Sequence, residues 1–382
     1  MGLRLVRASK GQAIACVALG VVFGIAQSYA ANSRFLINLT FLGCSFVAFL
    51  FLLMLFMLLN TIGERRELHN RLLSWAFEKS ASLKQMTARV AIILLVCWLP
   101  YLLLMYPGNL SNDTTGQLTM FYTLMGHGER WITAHHPVFD TLVFGAITYP
   151  FYAMGHFRLG VFLCIFLQEL LTAASFGVAF VWAKKRLSVS NGSIAIVLGF
   201  AALCPIVPLM VCSLSKDTFF SWVYLIWLVF FLDCIICREV GRRRFVVLAI
   251  SGALMVLTKK YGFFVAALSL IVLAVTFLVN KRHRTALVSF ALVLVVGITY
   301  EVCVPLLDKA TGATPAYKSD TLIVPLQQVA MAYSRYSDDF SSDELEVVSK
   351  FIDTNVIDSG NWDNTNTGTI KKMAFKSTTI SA

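Results

Sequence analysis

Charge is what this sequence has least of. Only 14% of its 382 residues are Asp, Glu, Lys or Arg, against 58% hydrophobic and 13% aromatic, whereas soluble domains carry about 25% charged residues. So few charges cannot clothe a water-soluble surface around cores of roughly 100–200 residues. No low-complexity run and no internal repeat is present, so the paired halves that mark inverted-repeat transporters have no counterpart in the sequence. Cys234 and Cys237 have Cys-x-x-Cys spacing but neither a second pair nor a nearby histidine, and all nine cysteines fall within or at the edge of apolar segments. Neither a zinc site nor a disulfide framework is suggested.

What is there is apolar and comes in blocks. Charge-free stretches run from Phe35 to Gly63, Val90 to Asn112, Leu187 to Ser215 and Tyr261 to Asn280, each long enough for the ~20 residues that a spanning helix needs. Nine spans are expected, near 12–30, 35–60, 88–106, 157–183, 193–213, 218–236, 243–258, 262–280 and 285–305. The fold class expected is therefore an all-α transmembrane, polytopic helical bundle spanning 1–305, followed by a small extracytoplasmic tail at 306–382. Arg4, Arg7 and Lys10 precede the first apolar run in the manner of a signal peptide, but because further spans follow at once an uncleaved first helix is expected.

The net charge of +11 sits in short clusters at the ends of apolar blocks, which points to membrane topology and not to nucleic acid. The clusters are Arg65, Arg66, Arg71, Lys79, Lys84 and Arg89; Lys184, Lys185 and Arg186; Arg238, Arg242, Arg243 and Arg244; and Lys281, Arg282 and Arg284. One assignment places all four in the cytoplasm, with a cytoplasmic N-terminus and an extracytoplasmic C-terminus. It requires the apolar segment from Val138 to Gly155 to remain outside. Asp140 within it and an expected break at Pro150 suit a juxtamembrane helix in one outer loop, 107–156.

The same parity puts the Ser213–Phe219 loop, the Lys259-Lys260 turn and the tail outside. Two lysines there break the positive-inside tendency, which calls for an anion to bind. The tail holds ten of the 21 acidic residues, Asp320 among them, and Ser341-Ser342-Asp343-Glu344 ahead of Leu345, Val347, Val348 and Phe351 reads as a capped amphipathic helix. After Asn361 the composition turns to Asn, Thr, Gly and Lys, and the sequence is expected to stop inside a domain.

The polar residues that could carry chemistry gather in the outer loops. Asp113, in the run Tyr106-Pro-Gly-Asn-Leu-Ser-Asn-Asp113-Thr-Thr-Gly-Gln117, follows directly on a span. A carboxylate at the water boundary of an apolar site can act as a general base, because partial burial moves its pKa toward the working range. The competing reading is a solvated turn residue or helix N-cap. His135 and His136, just before Pro137, could both be presented from an extended turn to bind phosphate or sugar hydroxyls, or to ligate a divalent metal ion with Asp113. Lys216 and Asp217 lie at the mouth of two spans, where Asp217 could simply open a helix; with Lys259 and Lys260, Lys216 could neutralise a phosphate or diphosphate leaving group. Glu169 lies inside a span, where a carboxyl is either functional or hydrogen-bonded to a neighbouring helix.

In order and sidedness these motifs resemble the GT-C class of integral-membrane glycosyltransferases, the group of protein O-mannosyltransferases and lipid A aminoarabinose transferases, and most of all a bacterial branch of it. The resemblance covers residues 88–330 and rests on Asp113, His135-His136-Pro137, Ser215-Lys216-Asp217 and Thr258-Lys259, with the tail stretch Ile323-Val-Pro-Leu-Gln-Gln328 as a further similarity. It implies an inverting transfer of sugar from a polyprenyl-phosphate donor to a glycan, lipid or protein acceptor at the outer face of the cell membrane. Asp113 would take the acceptor proton and Lys216, Lys259 and Lys260 would hold the donor phosphate. His135, His136, Asp217 and Gln117 would shape the site. The sequence departs from the class in having two extra leading spans, no Asp-x-Asp pair near Asp113 and no further helices beyond the tail. A transporter or flippase of lipid-linked glycans, a polysaccharide polymerase or ligase, and a non-catalytic truncated membrane protein are the alternatives.

Overall fold

A computed structural model describes residues 9–32, 36–65, 71–315 and 322–363. Arg4, Arg7, Arg66, Asp320 and the residues after 363 lie outside the described residues. The chain divides into two compact units, Met1–Thr115 with Ala146–Tyr300, and Gly116–Gly145 with Glu301–Ala382.

The first unit is a helical bundle. Its elements are α1 (Lys10–Asn32), α2 (Leu39–Arg65), α3 (Arg71–Ala76), α4 (Leu83–Leu104), β1 (Asn109–Leu110), the start of α5 (Asn112–Leu124), the end of α6 (Val138–Ala153), α7 (Phe157–Arg186), α8 (Asn191–Leu203), α9 (Ile206–Val211), β2 (Ser213–Leu214), α10 (Lys216–Cys237), α11 (Arg242–Thr258), α12 (Lys260–Val279) and α13 (His283–Ile298). Among the described residues seven helices are long and apolar enough to cross a membrane, at 10–31, 39–57, 83–104, 157–186, 216–237, 260–279 and 283–311. Helices close their own backbone hydrogen bonds, which is what a solvent without donors or acceptors demands. Their outward faces are apolar in the same sense: none of the apolar window of Leu39–Met57 is buried within the chain.

Two of the nine expected spans take other forms. The segment expected at 193–213 is two helices, α8 and α9, interrupted at Cys204-Pro205, because Pro205 has no N–H to continue the ladder. The segment expected at 243–258 is α11, 17 residues that open on Arg242-Arg243-Arg244. Both nonetheless run between the same two ends of the bundle as their neighbours. At one end Asp233 of α10 meets Arg186 of α7 at 2.9 Å and Arg244 of α11 at 2.6 Å, and Arg282 donates to the Arg238 carbonyl at 2.7 Å. At the other end lie β1, β2, the start of α10 and the α11–α12 turn. Between them, Trp98 Nε1 of α4 donates to the Ala201 carbonyl of α8 at 3.0 Å inside the buried core.

Pro150 does not end α6, contrary to the sequence expectation. Three residues remain beyond it to Ala153, so the helix forgoes one bond to the carbonyl four residues back near its C-terminal end without being terminated there. The helix is 16 residues long, short for a span.

In the second unit the expected tail helix is present as Ser342–Phe351. Ser341 Oγ accepts from the Glu344 amide at 3.3 Å while the Glu344 carboxylate accepts from the Ser341 amide at 2.9 Å. Leu326, Ala330, Ile352 and Ile357 form a small core in this unit. Residues 132–134 pair with Thr314, which donates to the Ile132 carbonyl at 3.0 Å and accepts from the Ala134 amide at 2.8 Å.

Candidate functional site

The geometry of the site follows from one short parallel pairing. β1 leaves the end of α4 and β2 leaves the end of α9, and the register Asn109↔Ser213 and Leu110↔Leu214 sets them side by side. Each strand runs straight into a helix. Asp113 comes three residues after Leu110 and Lys216 two after Leu214, so the register fixes them as neighbours. Thr114 Oγ1, buried, donates to the Leu214 carbonyl at 2.7 Å and pins the start of α5 to β2. Gln168 Nε2 reaches up from α7 to the carbonyls of Val211 and Ser213, at 2.9 and 3.0 Å. Ser111 and Ser215 cap their helices, each hydroxyl accepting from the amide three residues on at 3.2 Å.

Gly108 makes the approach of β1 achievable. Its φ is +107°, a value that L side chains rarely adopt, and a Cβ there would lie 2.0 Å from Ile165 Cδ1 and 3.1 Å from the Cys212 carbonyl. Gly108→Ala should therefore loosen the β1–β2 pairing at a cost of about 1–3 kcal/mol, seen as a lowered apparent Tm of the detergent-solubilised protein. An unchanged Tm would mean that the pairing does not depend on this turn.

Four charged groups gather on this frame. Lys216 Nζ donates to Asp113 Oδ2 at 2.7 Å, and Lys259 Nζ pairs with Asp217 and stands 5.8 Å over the Phe220 ring. Lys259 reaches Asp217 because Gly262 lets α12 fold back on α11: a Cβ on Gly262 would fall 2.0 Å from the Met255 carbonyl. The exposures run opposite to the sequence expectation. The carboxylates of Asp113 and Asp217 are 55% and 63% exposed, whereas the Lys216 and Lys259 side chains are 18% and 26% exposed. Asp113 is thus open to water and not partly buried, and Lys216 and Lys259 are each partnered by an acid instead of forming an uncompensated cationic cluster. Lys260 is exposed on the first turn of α12. Exposed ion pairs contribute only ~0–1 kcal/mol each, so stability alone is a weak reason for this arrangement.

The remaining candidates lie in the second unit. His135 and His136 occupy a turn with ring centroids 4.4 Å apart, but only His135 is partly exposed; His136 is buried, so the turn does not present both rings. Gln117 is fully buried and its Nε2 donates to Thr141 Oγ1 at 3.3 Å, tying α5 to α6. No group of three or more His, Cys, Asp or Glu side chains close enough to hold a metal ion occurs among the described residues.

Glu169 is 1% exposed on α7, and its Oε2 accepts no hydrogen bond from the described residues. Sequence reasoning passed over Gln168, Thr114 and Gly108. Gln168 beside Glu169 inside a span, and a glycine directly after Pro107, were the available signals. It also passed over Asp233, an acid within a span next to a basic cluster.

These features define a polytopic, essentially all-helical chain with an acid–base cluster at one end of its bundle. It belongs to DUF6020, a family of unknown function whose sequence pattern matches residues 124–365. No curated protein matches the chain, and neither does any solved structure.

Proposed function

We propose that the chain is a membrane glycosyltransferase that moves a sugar from a polyprenyl-phosphate donor to an acceptor at the outer face of the membrane. The observation that carries this reading is the juxtaposition of Asp113 with Lys216, and of Asp217 with Lys259, at the end of the bundle opposite the basic clusters. On this reading all nine segments cross the bilayer, the basic ends of α7, α10 and α11 are cytoplasmic, and the N- and C-termini are cytoplasmic and extracytoplasmic respectively.

The reaction is inverting. The acceptor oxygen attacks the anomeric carbon, the bond from that carbon to the phosphate oxygen breaks, and polyprenyl phosphate leaves with the electron pair. Asp113 takes the acceptor proton. In doing so it loses the charge that holds Lys216, so the ammonium becomes available to the phosphate as negative charge develops there. Lys259 and Lys260 extend the positive surface for the same group.

The test is transfer of radiolabel from a panel of polyprenyl-phosphate sugars into membrane acceptors by membranes carrying the chain. Incorporation above membranes without it supports the reading; no incorporation from any donor sinks it. A transporter or flippase of lipid-linked glycans is the second reading, favoured by the buried Glu169 carboxyl in α7. Transbilayer movement of a fluorescent polyprenyl-phosphate sugar in proteoliposomes, lost in Glu169→Gln and without transfer, would put it first.

A further inference from the structure

At the end of the bundle opposite the acid–base cluster, a cavity of about 1000 Å³ opens between α4, α7, α10 and α11. That volume is at the upper end of the roughly 300–1,000 Å³ typical of small-molecule sites. Its inner wall is apolar, with Ala91, Ala174 and Val178 among the lining residues. Its mouth carries Lys84, Lys185, Arg186, Arg242, Arg243 and Arg244 against a single lining acid, Asp233. Arg186 and Arg244 share that carboxylate. Lys84, Lys185, Arg242 and Arg243 are exposed, and none has an ion-pair partner among the described residues. Along α7 the lining runs from Arg186 inward to Ala174, a depth of about 18 Å at the helical rise.

A cationic rim over a deep apolar slot is complementary to one kind of molecule, an anionic amphiphile whose phosphate stays at the surface while its chain enters. We infer that this cavity is a binding site for an anionic phospholipid, with the phosphate held by Lys84, Arg242 and Arg243 and one acyl chain along the Ala91–Ala174–Val178 wall. Basic pockets between spanning helices recognise anionic headgroups in this way, each Lys or Arg near the surface contributing about 1 kcal/mol. A free phosphate would satisfy the rim but leave the slot empty. A zwitterionic lipid would fill the slot, but its own cation would face the rim. The inference is independent of sugar transfer, since it involves neither Asp113 nor any residue assigned to the reaction.

Native mass spectrometry of the full chain, released from a neutral detergent and titrated with phosphatidylglycerol, tests it directly. Phosphatidylglycerol should bind at least tenfold more tightly than phosphatidylcholine, and sn-glycerol 3-phosphate, which has the headgroup phosphate but no chains, should not compete. The triple variant Lys84→Gln, Arg242→Gln, Arg243→Gln leaves the Asp233 network intact and should bind phosphatidylglycerol roughly a hundredfold more weakly, the combined effect of three such cations. Equal affinity for phosphatidylcholine, or undiminished binding by the variant, would overturn the inference. Competition by sn-glycerol 3-phosphate would do so too, by making the site one for a soluble phosphate.

Discussion

Asp113→Asn should reduce sugar transfer by roughly 10²–10⁴-fold, the range that a positioned general base contributes. The amide keeps the size of the side chain and can still accept from Lys216, but it cannot take a proton from the acceptor hydroxyl. Because the carboxylate is 55% exposed and its ion pair is a surface pair, the fold should lose no more than about 1 kcal/mol. Activity and stability therefore separate: transfer collapses while the apparent Tm stays close to that of the wild type. Asp113→Glu, which keeps the carboxylate at a longer reach, should recover part of the rate. A variant Asp113→Asn as active as the wild type at matched expression would remove Asp113 from the reaction, and Asp217, the other exposed carboxylate of the cluster, would be the next base to test.

Asp233→Ala should have the opposite signature, a large loss of stability with the acid–base cluster untouched. The Asp233 carboxylate is 10% exposed, accepts from Arg244 Nε at 2.6 Å and from Trp182 Nε1 at 3.0 Å, and forms an ion pair with Arg186 Nε at 2.9 Å. Three helices, α7, α10 and α11, converge on this one side chain. Removing it leaves the guanidinium of Arg244, itself only 14% exposed, with Glu239 as its remaining acid among the described residues. Breaking a buried pair from one side costs about 3–5 kcal/mol, because the remaining charge stays desolvated. Thermal unfolding of the detergent-solubilised protein should show the loss. Substitution of Arg186, which is 47% exposed, should cost far less, since water can replace its partner. If Asp233→Ala melts with the wild type, the convergence of the three helices must rest on apolar packing alone.

Much of the architecture was legible in the sequence. Bilayer helices announce themselves because lipid imposes both a length and the exclusion of charge, so the blocks at 39–57, 157–186 and 260–279 stand out without any knowledge of their neighbours. The capped tail helix was legible for a similarly local reason: a Ser-x-x-Glu box satisfies amides within its own first turn. The polar residues of the loops could be listed, but their pairing could not. Asp113 and Lys216 are 103 residues apart, and no periodicity connects them.

The sequence by itself determined that this is a multi-helix membrane protein and which charged residues stand between its helices, because hydrophobicity and helix capping act over a few turns of chain. Only the tertiary structure decided which of those charges meet. The β1–β2 register sets Asp113 beside Lys216, the fold-back at Gly262 sets Lys259 beside Asp217, and the convergence of α7, α10 and α11 on Asp233 builds the basic cavity. Each joins residues of different elements, from 11 positions apart for Asp233 and Arg244 to 103 for Asp113 and Lys216, and is fixed by backbone pairing and close packing between those elements.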